Sequence, residues 1–265
     1  MRKYIAVAKI LFKAQIIYRF DVIMTAVGTV WRVLFARILW GAVFAGRDTV
    51  GGFDYQAMLS YYVVCSFLAS IEMSSGVSGE VSSRIRGGTF SKFMVIPTNP
   101  RLHMLSQNFG AAGYYALFSA AAAAFCAFAF NVRVSLAPDI SAIIIAVLII
   151  PAGLAFMTGY HFIVGILAFK FQDVNFFLHV QGSVIAFFTG AVIPLTLLPD
   201  SVQSVIKYLP FTYVTYMPAM LLTGRAGAGE GFFGLAVITA WCAAIMITGE
   251  LLYERLRIKY DGVGI

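Results

Sequence analysis

Charge is scarce in this chain. Only 12% of its 265 residues are Asp, Glu, Lys or Arg, about half the share of a globular domain. No G-x-x-x-x-G-K-[ST] loop is present, so nothing cradles the phosphates of ATP, and the chain is not expected to hydrolyse ATP by itself. The run Gly87-Gly88-Thr89-Phe90-Ser91-Lys92 is glycine-led and basic, but its spacing is wrong for that task. HExxH and GxSxG are also missing, which removes zinc-peptidase and serine-hydrolase chemistry. There is no C-x-x-C pair. Cys65, Cys126 and Cys242 each lie inside an apolar run and read as packing thiols, so no disulfide or metal site is expected. His103, His161 and His179 are scattered near the ends of apolar runs and read as structural. Met1–Phe20 lacks the small-residue pattern of a cleavage site, so no cleaved signal is expected. No catalytic residue and no cofactor is assigned to the chain.

What is abundant is apolar sequence. Hydrophobic residues make up 60%, with a mean hydropathy of +0.86. One soluble core of this length has no room for that much apolar surface, whereas a bilayer acts as its solvent. The expected fold is an all-α integral membrane bundle forming a single domain over residues 1–265. Six apolar runs are long enough to cross about 30 Å of hydrocarbon. They are Val22–Phe44, Tyr55–Val77, Met104–Phe130, Ile140–Phe169 (interrupted by Pro151), Val174–Ile193 and Phe232–Tyr253. Gly110, Gly113 and the Ala120–Ala124 run favour close helix contact in the third. Met1–Phe20 reads as an amphipathic interfacial helix. Arg2, Ala6, Lys9 and Lys13 share one face, with Ile5, Leu11, Phe12 and Ile16 away from it.

A seventh apolar stretch, Leu195–Thr223, is broken by Pro199, Pro210 and Pro218 into pieces of about ten residues, too short to span. It reads as a re-entrant segment on the outer side. Such backbone is tolerated at membrane depth only against protein or water. With the N-terminus in the cytoplasm, 13 of the 19 basic residues fall inside. Only Arg47, Arg133, Lys207 and Arg225 fall outside, as the positive-inside rule requires. Both termini are then cytoplasmic. The net charge of +7 reflects this flanking pattern. No aromatic-basic module for nucleic acid is visible.

Three sets of residues are candidate functional positions. The first is the cytoplasmic loop Glu80–Arg101, which reads as a short polar helix, a Gly87-Gly88 break, an apolar patch Phe90–Ile96 and a stop at Pro97. A soluble partner fits there, and an ordinary charged loop is the plainer alternative. The second set is Arg32 and Arg37 inside the first span, each costing about 2.5–3.5 kcal/mol on insertion scales. For Arg32 the expected partner is Glu72. A cavity-lining role toward an anionic headgroup and contact with a partner subunit are the alternatives. Arg37 has no acid at matching height, which leaves snorkelling or a partner subunit. The third set is Gln181, Ser183, Phe187, Phe188 and Thr189, which suit either an amphipathic substrate or lipid-facing packing.

The order of features resembles a permease of the type-2 ABC exporter family. A basic interfacial helix, two spans, a loop of the form E-(x)n-R-x-G-G-x-x-S-K-(x)n-P and a proline-rich outer stretch before the last span carry the resemblance. Pro194-Leu195-Thr196-Leu197-Leu198-Pro199 and Leu209-Pro210-Phe211 with Pro218 are similar to the bacterial subfamily with two related permease subunits and a separate ATPase. The resemblance implies ATP and Mg in a partner chain, a second permease subunit, membrane lipid as surroundings and the bacterial plasma membrane as location. It also implies that Glu80, Arg84, Arg86, Gly87, Gly88 and Lys92 couple the permease to its ATPase, with a smaller part for Lys170–Asn175. The cargo would be hydrophobic or amphipathic. An ion-coupled secondary transporter and a non-transport scaffold are the rival classes.

Overall fold

The computed structural model describes residues 2–95, 98–171 and 175–259. Pro97, residues 172–174, the His179 side chain and residues 260–265 lie outside the described residues. Every regular element among them is helical. In chain order these are α1 (Arg2–Ala14), α2 (Arg19–Val43), α3 (Tyr55–Ile71), α4 (Ser75–Arg86), α5 (Ser91–Val95) and α6 (Pro100–Ala129). Then follow α7 (Ile140–Ile166), α8 (Asn175–Phe188), α9 (Asp200–Ile206), α10 (Tyr216–Leu222) and α11 (Ala228–Leu256). The helix starts are written in the sequence. Asp54 accepts from Ala57 N to cap α3, Asn99 followed by Pro100 caps α6, and Asp139 caps α7.

Among the described residues, five stretches are long and apolar enough to cross a membrane: Phe20–Val43, Tyr55–Arg86, Pro100–Ala129, Ile140–Phe169 and Ala228–Leu256. The expected fifth span, Val174–Ile193, is not among these five within the described residues. Within the expected fifth span, α8 has 14 residues, about 21 Å of helix against about 30 Å of hydrocarbon. The chain turns after it at Gly190, whose φ is +72°. A Cβ there would sit 2.8 Å from that of Tyr216, and the Gly190 carbonyl accepts from the Tyr61 hydroxyl at 2.7 Å. Pro151, expected to interrupt the fourth span, does not: α7 runs through it, with the ring on the exposed side.

The core is built around α7, which packs against α11, α4 and α10. Ile145, Ala146, Ile149, Phe156 and Met157 of α7 meet Met58, Tyr61 and Cys65 of α3, and Ala219 and Leu221 of α10, in one cluster. The glycines of α6 receive α1 rather than another span. A Cβ on Gly110 would lie 2.2 Å from the Ala8 carbonyl oxygen, and Phe12 covers Gly113. The rings of Phe12 and Tyr114 meet edge to face at 5.4 Å. In contrast, α2 leaves Ile23, Val27, Trp31, Phe35 and Ile38 exposed, a face suited to lipid tails rather than water.

The proline-broken stretch folds into four short pieces, the longest of seven residues. Pro199 precedes α9, Pro210 opens a 3-10 turn, and Pro218 sits in the first turn of α10. Gln203 donates to the carbonyls of Thr196 and Leu198, and the Tyr213 hydroxyl donates to that of Lys207. This stretch shares one end of the bundle with residues 44–54 and 130–139. Ala137 N donates to Leu222 O, and Arg225 donates to Gly52 O while stacking 4.3 Å over the Phe53 ring. Helices α4 and α5 and the C-terminal parts of α7 and α11 occupy the opposite end.

Candidate functional site

The α4–α5 elbow is built by local chemistry. Ser74 precedes α4, and the Glu72 carboxylate accepts from both Ser74 N and Ser74 Oγ. Arg84 and Arg86 fill the last turn of α4, where cations meet the negative end of the helix dipole. Gly87 caps the helix, and Gly88 takes φ +70°, a conformation glycine adopts without steric cost. Phe90 N then donates to Arg84 O at 2.9 Å and closes the turn.

The apolar patch after the glycines is packed at its two phenylalanines, while Val95 is exposed. Phe90 and Phe93 are buried. Phe90 packs against Phe169 at 5.4 Å and Tyr253 at 6.3 Å, and Phe93 against His103 at 5.4 Å. Phe90 and Phe93 therefore pin the elbow to α6, α7 and α11. Arg84 is also occupied. It pairs with Glu80 at 2.7 Å and lies 5.3 Å over the Phe93 ring. Arg86 and Lys92 are exposed.

The expected Arg32–Glu72 pair does not form. Arg32 donates to Ser70 Oγ and to the Ser66 carbonyl at 3.4 Å, and Thr29 Oγ1 lies 3.5 Å away. Backbone direction is the reason. Helix α3 ends at Ile71, and Glu72 is extended with ψ 93°, so its side chain leaves the α2 side. Arg37 reaches the C-terminal end of α6, where it donates to the Phe130 carbonyl and lies 5.6 Å over that ring. A helix C-terminus offers unpaired carbonyls and negative potential, which accounts for this charge within the chain.

Glu72 turns instead toward a cavity of about 270 Å³ between the α3–α4 break, α7, α8 and residues 214–215. Ser78, His161, Gln181 and Thr189 share its lining. His161 Nδ1 lies 3.3 Å from Ser78 Oγ, and Gln181 Oε1 accepts from Tyr160 at 3.0 Å. Of the five α8 candidates, Gln181 and Thr189 are buried on this cavity. Ser183 and Phe187 are exposed and Phe188 half-buried, away from its lining.

The profile of the family described as ABC-2 family transporter protein matches residues 30–264. The chain belongs to the ABC-2 transporter family. No curated protein and no solved structure gave a match. Membership makes this a multi-pass membrane component of a transporter, outside the catalytic machinery, and implies association with ABC ATPase subunits.

Several polar residues of this ABC-2 chain escaped the sequence reading. Ser66, Ser70, Ser74, Ser78 and Ser82 recur every four residues through α3 and α4, and all are buried. Small hydroxyl residues let helices approach and satisfy one another inside a membrane, and α4 uses them to seat on α7. A Cβ on Gly165 would lie 2.7 Å from that of Val81 and 3.1 Å from the Ser78 carbonyl oxygen. The signal, a serine at every fourth position, was visible. Arg101 is buried and pairs with Glu250 of α11, and Asn108 donates to Thr158 at 2.7 Å. These partners lie on distant segments, and no local pattern announces them.

Proposed function

We propose that this ABC-2 protein is the transmembrane permease subunit of an ATP-driven exporter in the bacterial plasma membrane. It moves a hydrophobic or amphipathic compound. Hydrolysis takes place in a separate ATPase that binds ATP and Mg. A second permease subunit, identical or related, completes the membrane part. Both termini lie in the cytoplasm, α1 rests at the inner interface, and the proline-broken segment dips in from outside. The concentration of basic residues at the α4–α5 end supports this orientation.

The observation that carries the coupling assignment is the pinned elbow. A sharp turn at Gly88, held to three long helices by Phe90 and Phe93, presents Arg86 and Lys92 outward. Force on those two side chains passes into α6, α7 and α11 through packed rings. Arginine is suited to a carboxylate on the ATPase because its planar fork binds in two places at once. The test is the double variant Arg86→Glu/Lys92→Glu. Both side chains are exposed, so the permease folds and inserts. Co-purification of the ATPase falls at least tenfold, and ATP turnover of the reconstituted complex loses its dependence on the permease. Unchanged assembly and turnover would remove the elbow from the coupling path. Cysteines placed at Gly51 and Gly227 are labelled from outside, and one at Thr89 is not. Labelling at Thr89 from outside would overturn the orientation.

A further inference from the structure

The cavity beside the α3–α4 break holds an acid that packing does not explain. Glu72 has one oxygen engaged with Ser74, and its second has no protein partner among the described residues. Neither Arg32 nor the buried Arg101 touches it: each is committed elsewhere. An ionisable side chain in a membrane segment is costly and is normally paired or used. The cavity around it is mostly apolar, with a minority of polar groups. Ser78, His161 and Gln181 line it together with Glu72, while Met157, Ile185 and Val214 contribute apolar wall. Among the described residues no Lys or Arg lines it. Gly79 and Gly182 also line it, and a Cβ on either would meet nothing within 4 Å. Gly182 is exposed, so the cavity opens along α8.

From this arrangement we infer that the cavity binds the head of an amphipathic cation, with the Glu72 carboxylate as counter-ion. Gln181 and the hydroxyls replace water around the head, and the apolar wall takes the first carbons of its tail. The remaining tail leaves past Gly182. A carboxylate without a fixed cation favours a positively charged guest and repels an anionic one of the same shape. This names the substrate class for the exporter function proposed above and rests on it.

The experiment measures equilibrium binding of dodecyltrimethylammonium to the full chain in lipid nanodiscs, with empty nanodiscs subtracted. Dodecyl sulfate serves as the anion with the same tail. Saturable binding of the cation is expected, and only unsaturable partitioning of the anion. Glu72→Gln keeps the shape and the Ser74 contact, and weakens cation binding at least tenfold. Gly182→Leu closes the mouth without touching the carboxylate, and weakens it at least threefold. Both variants elute as the unmodified chain does on size exclusion. Absence of saturable cation binding, or equal affinity in Glu72→Gln, would overturn the assignment. If that happens while ATP turnover still depends on Arg86 and Lys92, the cation site alone fails and the exporter function stands.

Discussion

Two stretches of broken backbone lie at opposite ends of this bundle, and they are broken by different means. The one proposed to face outward, residues 195–223, turns at Pro199 and Pro210 and again around Thr215 before Pro218. The inner one, residues 72–74, contains neither proline nor glycine. It is held open by the Glu72 carboxylate on Ser74 and by the seating of α4 on α7 at Gly165. A proline breaks a helix through its own ring and missing N–H, whatever surrounds it. The inner break exists only because the helices around it are packed as they are. The outer break is thus local and robust, and the inner one is tertiary and sensitive.

The sharpest way to break this contrast is at Gly165. Gly165→Leu forces atoms into the space of Val81 and the Ser78 carbonyl, and overpacking costs about 1–3 kcal/mol, occasionally more. It should lower stability in detergent denaturation by about 3 kcal/mol and unseat α4. A tolerated leucine there would show that the inner break is as local as the outer one. Next in size is Gln203→Ala. It removes the two hydrogen bonds that close the turn before α9, at about 1 kcal/mol each, and the same denaturation series measures it. Pro199→Ala should cost less than Gln203→Ala, about 0.5 kcal/mol, because it acts mainly by loosening the unfolded chain. If Pro199→Ala proves the worse of the two, the outer turns depend on proline alone.

The smallest effect concerns pH at the outer end. Hydrogen bonds from Ser141, side chain and backbone, hold the Asp139 carboxyl below its ordinary value of 3.8. A carboxylate depressed in the folded state stabilises it above the unfolded pKa, and the contribution disappears as pH falls through the folded value. Thermal melts between pH 5 and pH 2 should therefore lose a small acid-side slope in Asp139→Asn. An identical slope in the variant would show that this cap carries no proton linkage.

Much of the architecture was legible because its signals are local. The long apolar runs, the Asp54, Asn99 and Asp139 caps, the Gly87-Gly88 turn and the proline breaks each act within a few residues of themselves. Partner choice was less legible. Arg32 and Glu72 have matching depth and opposite charge, yet the direction of the chain after Ile71 separates them. Phe90 and Phe93 looked like a free apolar patch because Phe169, His103 and Tyr253 are remote in sequence. The shortness of α8 was hidden by apolar residues that continue past Phe188, where Gly190 turns against Tyr61 and Tyr216.

The sequence by itself determined the class of this protein: a helical membrane chain without a phosphate loop, punctuated by proline breaks and a glycine turn. Those features follow from hydropathy and backbone sterics, which each residue carries with it. The tertiary structure alone decided which polar groups meet. It took Arg32 to the serines of α3 and Arg37 to the end of α6, and it left Glu72 facing a cavity. Inside a membrane a charged side chain has little water to choose, so its partner is whichever polar group the packed helices bring within reach.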